Sequence, residues 1–177
     1  MNDRMSTTGQ IEIRDCQAAD VPGILDIFNW EILHSTSIFE YEEKTLEDRL
    51  AWFDALKSKG YPLIVAIDNS TSEGKVAGYC CLGVFRDKPA FKSTTEVSLY
   101  IHQDYRRRGL GKLMMKEMIQ RGKSQGFCNI IAGITTENVG SLKLYEQLGF
   151  SLVGTFHHVG YKFDRWLDTT FMELVIN

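Results

Sequence analysis

The sequence has no stretch of about 18 consecutive apolar residues, which excludes a conventional transmembrane helix. It has no basic excess. The 20 Lys and Arg against 23 Asp and Glu give a net charge of −3, without the footprint of a general nucleic-acid binder. Its cysteines, Cys16, Cys80, Cys81 and Cys128, form no C-x-x-C pair. They read as reduced, mostly buried thiols, with Cys80 and Cys81 on opposite faces of a strand. Its histidines, His34, His102, His157 and His158, show no H-E-x-x-H spacing, so no metal is expected. The polar segment Met1 to Gln10 lacks the apolar core of a signal peptide, which makes the cytoplasm the expected compartment. What is left is an ordinary folded mixture, 44% hydrophobic and 24% charged over 177 residues. That excludes intrinsic disorder and low complexity and suits one domain. The expectation is a flexible tail over 1–10 and a single domain over 11–177.

Periodicity sets the elements. Residues 11–15 alternate like a strand. Asp20 before Val21-Pro22 signals a helix start, with Ile24, Leu25, Ile27, Phe28, Ile32 and Leu33 as its stripe. Thr45-Leu-Glu-Asp48 fits a capping box that opens a second helix through Trp52, Phe53 and Leu56, ended by Gly60. The runs 62–68 and 76–85 read as a hairpin, followed by a loop over 86–92 and a strand over 94–102. A helix over 110–125, a strand over 127–135, a short helix over 138–147 and two β stretches near 151–158 and 166–176 complete the chain. The order β-α-α-β-β-β-α-β-α-β-β predicts a mixed sheet covered by helices, not a doubly wound one.

The most informative segment is Arg106-Arg-Arg-Gly109-Leu-Gly111-Lys112, between a strand and a helix. Glycines there let main-chain N–H groups approach a ligand. The helix start adds free donors and a positive dipole end, which suits a pyrophosphate. It is not a P-loop, because position 106 is Arg and Leu113 follows Lys112; it is not a Rossmann loop, because position 114 is Met. Taken alone, it is also readable as an arginine-rich turn that caps a helix.

The pattern R-x-x-G-x-G resembles the pyrophosphate loop of the GCN5-related N-acetyltransferase superfamily. Asn138-x-x-Ser141-x-x-x-Tyr145-Glu-Gln-Leu-Gly149-Phe150 resembles that superfamily's closing motif. Further stretches resemble its phosphinothricin and methionine sulfoximine N-acetyltransferase branch: Ser35 to Glu40, Gly78-Tyr79, Phe85 to Phe91, Thr95 to Ile101, Gly160-Tyr-Lys162 and Trp166-Leu-Asp168. Lys88, Phe91 and Asp164-Arg165 depart from the branch pattern. So does Tyr145, where herbicide-detoxifying members often carry His.

The resemblance implies a mixed α/β fold with a mostly antiparallel sheet of about seven strands, splayed in the middle and flanked by about four helices. It implies acetyl transfer from acetyl-CoA to a primary amine of a small amino-acid-like acceptor, directly within a ternary complex. Glu96 would be the general base, on one strand face with Ser98 and Tyr100. Tyr145 would give a proton to the departing thiolate. Backbone N–H groups within Leu99, Tyr100 and Ile101 would hold the thioester oxygen. Gln103, Arg106, Arg107, Arg108, Gly109, Leu110, Gly111 and Lys112 would track toward the diphosphate, and Asn138 with Ser141 would bind the pantetheine arm. On the acceptor side Arg86 is the first choice for an α-carboxylate and Lys162, equally readable as a surface lysine, the second, with Phe39, Glu40, Tyr79 and Phe91 as walls. From the residues alone, Glu96 is also readable as an ordinary strand glutamate, and Tyr145, Phe39 and Tyr79 as core aromatics. A homodimer is a further implication. Two rival readings stand beside this one: an acetyltransferase for a protein N-terminus or polyamine, and a non-catalytic acyl-CoA sensor.

Overall fold

A computed structural model describes residues 11–71 and 74–176; the expected tail over 1–10 lies outside them. The elements follow in chain order. Strand β1 (Ile11–Asp15) leads to helices α1 (Val21–His34) and α2 (Leu46–Ser58). Strands β2 (Leu63–Asp68), β3 (Lys75–Val84) and β4 (Thr94–Ile101) come next, then helix α3 (Leu110–Ser124). Strand β5 (Asn129–Thr135), helix α4 (Val139–Gln147) and strands β6 (Ser151–Lys162) and β7 (Arg165–Val175) finish the chain. The expected order of elements is therefore the observed one. Periodicity did not register three single-turn 3-10 helices, at Ala18–Asp20, Pro89–Phe91 and Gln103–Tyr105.

The seven strands form one sheet in the order β1-β2-β3-β4-β5-β7-β6. Among the described strands only β4 and β5 pair in parallel, because α3 carries the chain across between them. Strand β7 inserts between β5 and β6.

Each face of the sheet has its own core. Met114, Met115 and Met118 of α3 cover Ile64, Cys80 and Leu82 on one face. Val21, Ile24 and Ile27 of α1 and Phe53 of α2 cover Val65, Tyr79 and Cys81 on the other. Alternation along β3 thus divides Cys80 from Cys81, as expected. Both are buried, but Cys16 is half-buried and Cys128 exposed, which corrects the reading of mostly buried thiols. Helix α2 starts from the expected capping box: Thr45 Oγ1 accepts from the Asp48 N–H at 3.1 Å, and Asp48 accepts from the Thr45 N–H at 3.0 Å.

The segment after α1 is tied to the end of β6. Lys162 Nζ donates to the Ser35 carbonyl at 2.9 Å and to the Ile38 carbonyl at 2.6 Å. Tyr41 Oη donates to the Tyr161 carbonyl at 2.7 Å. Lys162 is buried with its ammonium turned to these two carbonyls, so it is not a surface lysine, and it lines neither cavity described below. Replacing Lys162 with Met strands two carbonyls at a charged donor's position. The expected loss is about 2–3 kcal/mol, a fall in Tm of roughly 5–10 °C, read by calorimetry.

Candidate active site

Strands β4 and β5 pair only where Thr94, Thr95 and Glu96 face Asn129, Ile130 and Ile131. Beyond that point β4 stays with β3 as far as Ile101, while β5 stays with β7 as far as Thr135. The two halves of the sheet therefore part, and β4 from Val97 onward has no strand on its β5 side. Its main-chain groups there are free to meet a ligand. Two cavities, about 600 and about 750 Å³, flank the gap and share Ser37, Leu99, Tyr100, Asn138 and Ser141 as walls.

Glu96 and Tyr145 both line the smaller cavity, at the last paired position of the gap. They arrive from different layers, Glu96 from β4 and Tyr145 from α4. Glu96 stands over Gly133, where a Cβ would lie 3.6 Å from its Oε1. Burial raises the Glu96 pKa above the ordinary carboxylate value, so the group takes up a proton more readily than a surface glutamate. Burial also raises the Tyr145 hydroxyl well above its ordinary value. Tyr145 meets Phe150 edge to face, with ring centroids 4.9 Å apart.

Much of the wall comes from residues that sequence reasoning did not assign to a site, among them Ser37, Tyr41, Thr135, Val159, Gly160, Tyr161, Thr169 and Phe171. One signal was present in Gly160 of the Gly160-Tyr-Lys162 stretch. A Cβ at Gly160 would lie 2.0 Å from Cε1 of Phe39, so the ring rests directly on the glycine backbone. Replacing Gly160 with Ala displaces Phe39 from the cavity. The expected result is an acceptor KM raised about tenfold with the acetyl-CoA KM unchanged, read by steady-state kinetics.

The larger cavity ends at α3. Gly109 caps the helix with φ of 81°, a left-handed conformation that glycine adopts without strain, and no side chain caps the helix there. The first N–H groups of α3, at Leu110 and Gly111, have no helical carbonyl before them and line this cavity with Lys112, whose own N–H donates to the Gly109 carbonyl at 3.1 Å. Gly111 serves a different purpose. A Cβ on it would lie 3.3 Å from Leu144 and 3.5 Å from Leu99, so its absence lets α3 pack close to α4 and β4. Arg107 and Lys112 add positive charge to the wall. Asn138 caps α4 by accepting from the Ser141 N–H at 3.1 Å. Anion donors at one end, an open strand edge in the middle, and a carboxyl with a phenol at the other end suit an acyl-CoA thioester.

The sequence matches the family model of the acetyltransferase (GNAT) family over residues 25–150. The chain belongs to this family. A Pseudomonas paraeruginosa protein named L-methionine sulfoximine/L-methionine sulfone acetyltransferase is 41% identical over 92% of this chain and 92% of its own length. A Streptomyces viridochromogenes phosphinothricin N-acetyltransferase is 33% identical over 92% of this chain and 86% of its own length. A solved Salmonella typhimurium structure, described with its cofactor acetyl-CoA, is 34% identical with a TM-score of 0.90, covering 96% of this chain and 95% of that one.

Several residues expected at the GNAT site lie elsewhere. Tyr79 is wholly buried in the core, where its hydroxyl accepts from Arg49, so it forms no wall of the Glu96 cavity. Arg86 and Phe91 sit on the exposed loop after β3, with the guanidinium carbon 5.7 Å from the Phe91 ring centroid; they line neither cavity at the gap. Glu40 pairs with Lys44 at 2.9 Å and faces a separate side cavity. Arg106 does line the larger cavity, but its guanidinium pairs with the buried Glu31 and its Nε donates to the Ile101 carbonyl at 2.9 Å, which makes it a brace for the loop. Gln103 is exposed, and Arg108 stands 5.7 Å from the Tyr105 ring centroid; neither lines the cavity. The remaining expected residues are gathered around the gap. Phe39, Glu96 and Tyr145 line the smaller cavity, Ile101, Arg107, Gly109, Leu110, Gly111 and Lys112 the larger, and Leu99, Tyr100, Asn138 and Ser141 both.

Proposed function

We propose that this chain transfers the acetyl group of acetyl-CoA to the primary α-amine of a small amino-acid-like acceptor. The acceptor class is that of methionine sulfone, methionine sulfoximine and phosphinothricin. Bound acetyl-CoA supplies the activated acyl group. The observation that carries the reading is a carboxyl and a phenol in one cavity at the gap of the sheet. Glu96 takes the proton that the ammonium must lose before it attacks, directly or through one water. Its raised pKa brings it closer to a working base at neutral pH than an exposed glutamate. The main-chain N–H groups of Leu99 to Ile101 hold the thioester oxygen, and Tyr145 donates to the departing sulfur. The first turn of α3, with Arg107 and Lys112, holds the diphosphate, and Asn138 holds the pantetheine arm. No cysteine is placed for an acyl-enzyme: neither Cys80 nor Cys81 lines the Glu96 cavity, and burial raises both thiols.

The similarity to named sulfoximine and phosphinothricin acetyltransferases supports the acceptor class. An acetyl-CoA consumption assay over methionine sulfone, phosphinothricin, spermidine and an N-terminal peptide tests it. Turnover of the first two is expected. Turnover of the peptide or spermidine alone overturns the acceptor class, and acetyl-CoA binding without turnover of any amine favours the sensor reading.

A further inference from the structure

Strand β6 does not run evenly beside β7. Phe156 pairs with Thr169 and Gly160 with Leu167, so His157, His158 and Val159 together face the single residue Asp168. Three residues opposite one cannot stay in the ladder. They leave it as a bulge, and a bulge re-aims the chain that follows it. His158 sits at its centre with φ of 53°, a left-handed conformation that a residue with a Cβ adopts only at a cost. Such a residue stays there only where its surroundings hold it.

Asp168 is what holds it. Its Oδ1 accepts from the His158 N–H at 2.8 Å, and its Oδ2 meets His157 Nδ1 at 2.7 Å. These bonds, the His158 amide first, keep the Asp168 carboxyl below the ordinary aspartate pKa. The Asp168 main chain is fixed in turn, because its carbonyl accepts from the Thr136 N–H at 3.1 Å, just past the end of β5. One anchored carboxylate therefore ties down two of the three bulged residues.

The chain leaving the bulge is cavity wall. Val159, Gly160 and Tyr161 line the Glu96 cavity, whereas Asp168, His157 and His158 do not. The Phe39 ring rests on Gly160, and the Tyr161 carbonyl accepts from Tyr41 Oη at 2.7 Å. Phe39 and Tyr41 are walls of the same cavity. A relaxed bulge would move the backbone over 159–161 and take both aromatic contacts with it.

We propose that Asp168 is a positioning residue for the acceptor: it clamps the β6 bulge through His157 and the His158 amide, and the clamp sets Val159, Gly160 and Tyr161 in the cavity wall. This rests on the functional reading above, which gives that cavity to the acceptor. Asp168 acts only through the bulge, since it lines neither cavity at the gap.

Steady-state kinetics with methionine sulfone and acetyl-CoA test it. Asp168→Ala is expected to raise the methionine sulfone KM about tenfold, with the acetyl-CoA KM within about twofold and kcat within about threefold. Asp168→Asn keeps a carbonyl oxygen for the His158 N–H and an amide for His157, so its acceptor KM stays within about threefold of the wild type. A merely structural aspartate would lower Tm and the active fraction, hence kcat, and leave the acceptor KM alone; that result overturns the proposal. An equal rise in both KM values overturns it, and so does an Asn variant as impaired as the Ala variant. Should Asp168→Ala fail to fold, His158→Pro attacks the bulge from the other side, because proline offers Asp168 no N–H and cannot take a positive φ. The same rise in acceptor KM is expected there, and an unchanged KM is the contrary result. If the wild type turns over no small amine, the functional reading fails separately, and amide hydrogen exchange over 157–161 reads the clamp without activity. Exchange about tenfold faster in Asp168→Ala supports it, and exchange at the wild-type rate overturns it.

Discussion

Replacing Glu96 with Gln lowers kcat for acetyl transfer by about 100- to 1000-fold, with the dissociation constant for acetyl-CoA unchanged within twofold. The substitution keeps size and polarity and removes only the basic oxygen. The pH profile carries the finer signature. The base works deprotonated, so wild-type kcat/KM rises as pH rises through the Glu96 pKa. Burial places that limb above the ordinary glutamate range, and the Glu96→Gln variant lacks it. Stability moves the opposite way. A folded-state pKa above the unfolded one contributes stability that is present at low pH and lost as pH rises through the folded value. At neutral pH the Glu96→Gln variant is therefore expected to be more stable than the wild type. The gap closes as pH falls through the raised pKa, and urea midpoints across pH read it. An activity loss with no change in the acid limb would place the base elsewhere.

Replacing Tyr145 with Phe lowers kcat by about 100-fold and leaves both KM values within a few fold. The ring and its edge contact with Phe150 are kept, so the loss isolates the hydroxyl. Burial keeps this phenol protonated across the working pH range. The same low-dielectric surround makes the departing thiolate more basic, so the two remain matched for proton transfer. Rapid-quench kinetics read the acetyl-transfer step directly. A wild-type rate in the Tyr145→Phe variant would mean that water protonates the sulfur.

The element order and part of the gap lining are legible because local signals carry them. The capping box at Thr45 and the glycine turn before Leu110 are patterns over a few residues. The alternation of Glu96, Ser98 and Tyr100 on β4 is another. Pairings across long separations were not legible. Nothing near Arg106 announces that Glu31, 75 residues earlier, takes its charge. Nothing near Lys162 announces the carbonyls of Ser35 and Ile38, more than 120 residues away. Nothing near Arg49 announces that it is buried. Its burial follows only from where α2 crosses α1 and β3. The loop with Arg86 and Phe91 was assigned to the acceptor by resemblance, and Phe91 with Phe85 instead packs into a small aromatic group beside Arg86.

In the proposed reaction the parted strands deliver a thioester to Glu96 and Tyr145 from a diphosphate anchored at α3. A crystal structure with acetyl-CoA bound tests it most directly. The diphosphate is expected on the N–H groups of the first turn of α3 beside Gly109, and the acetyl group between Glu96 and Tyr145. A well-ordered acetyl-CoA whose thioester lies outside the gap, or whose diphosphate avoids α3, would contradict it.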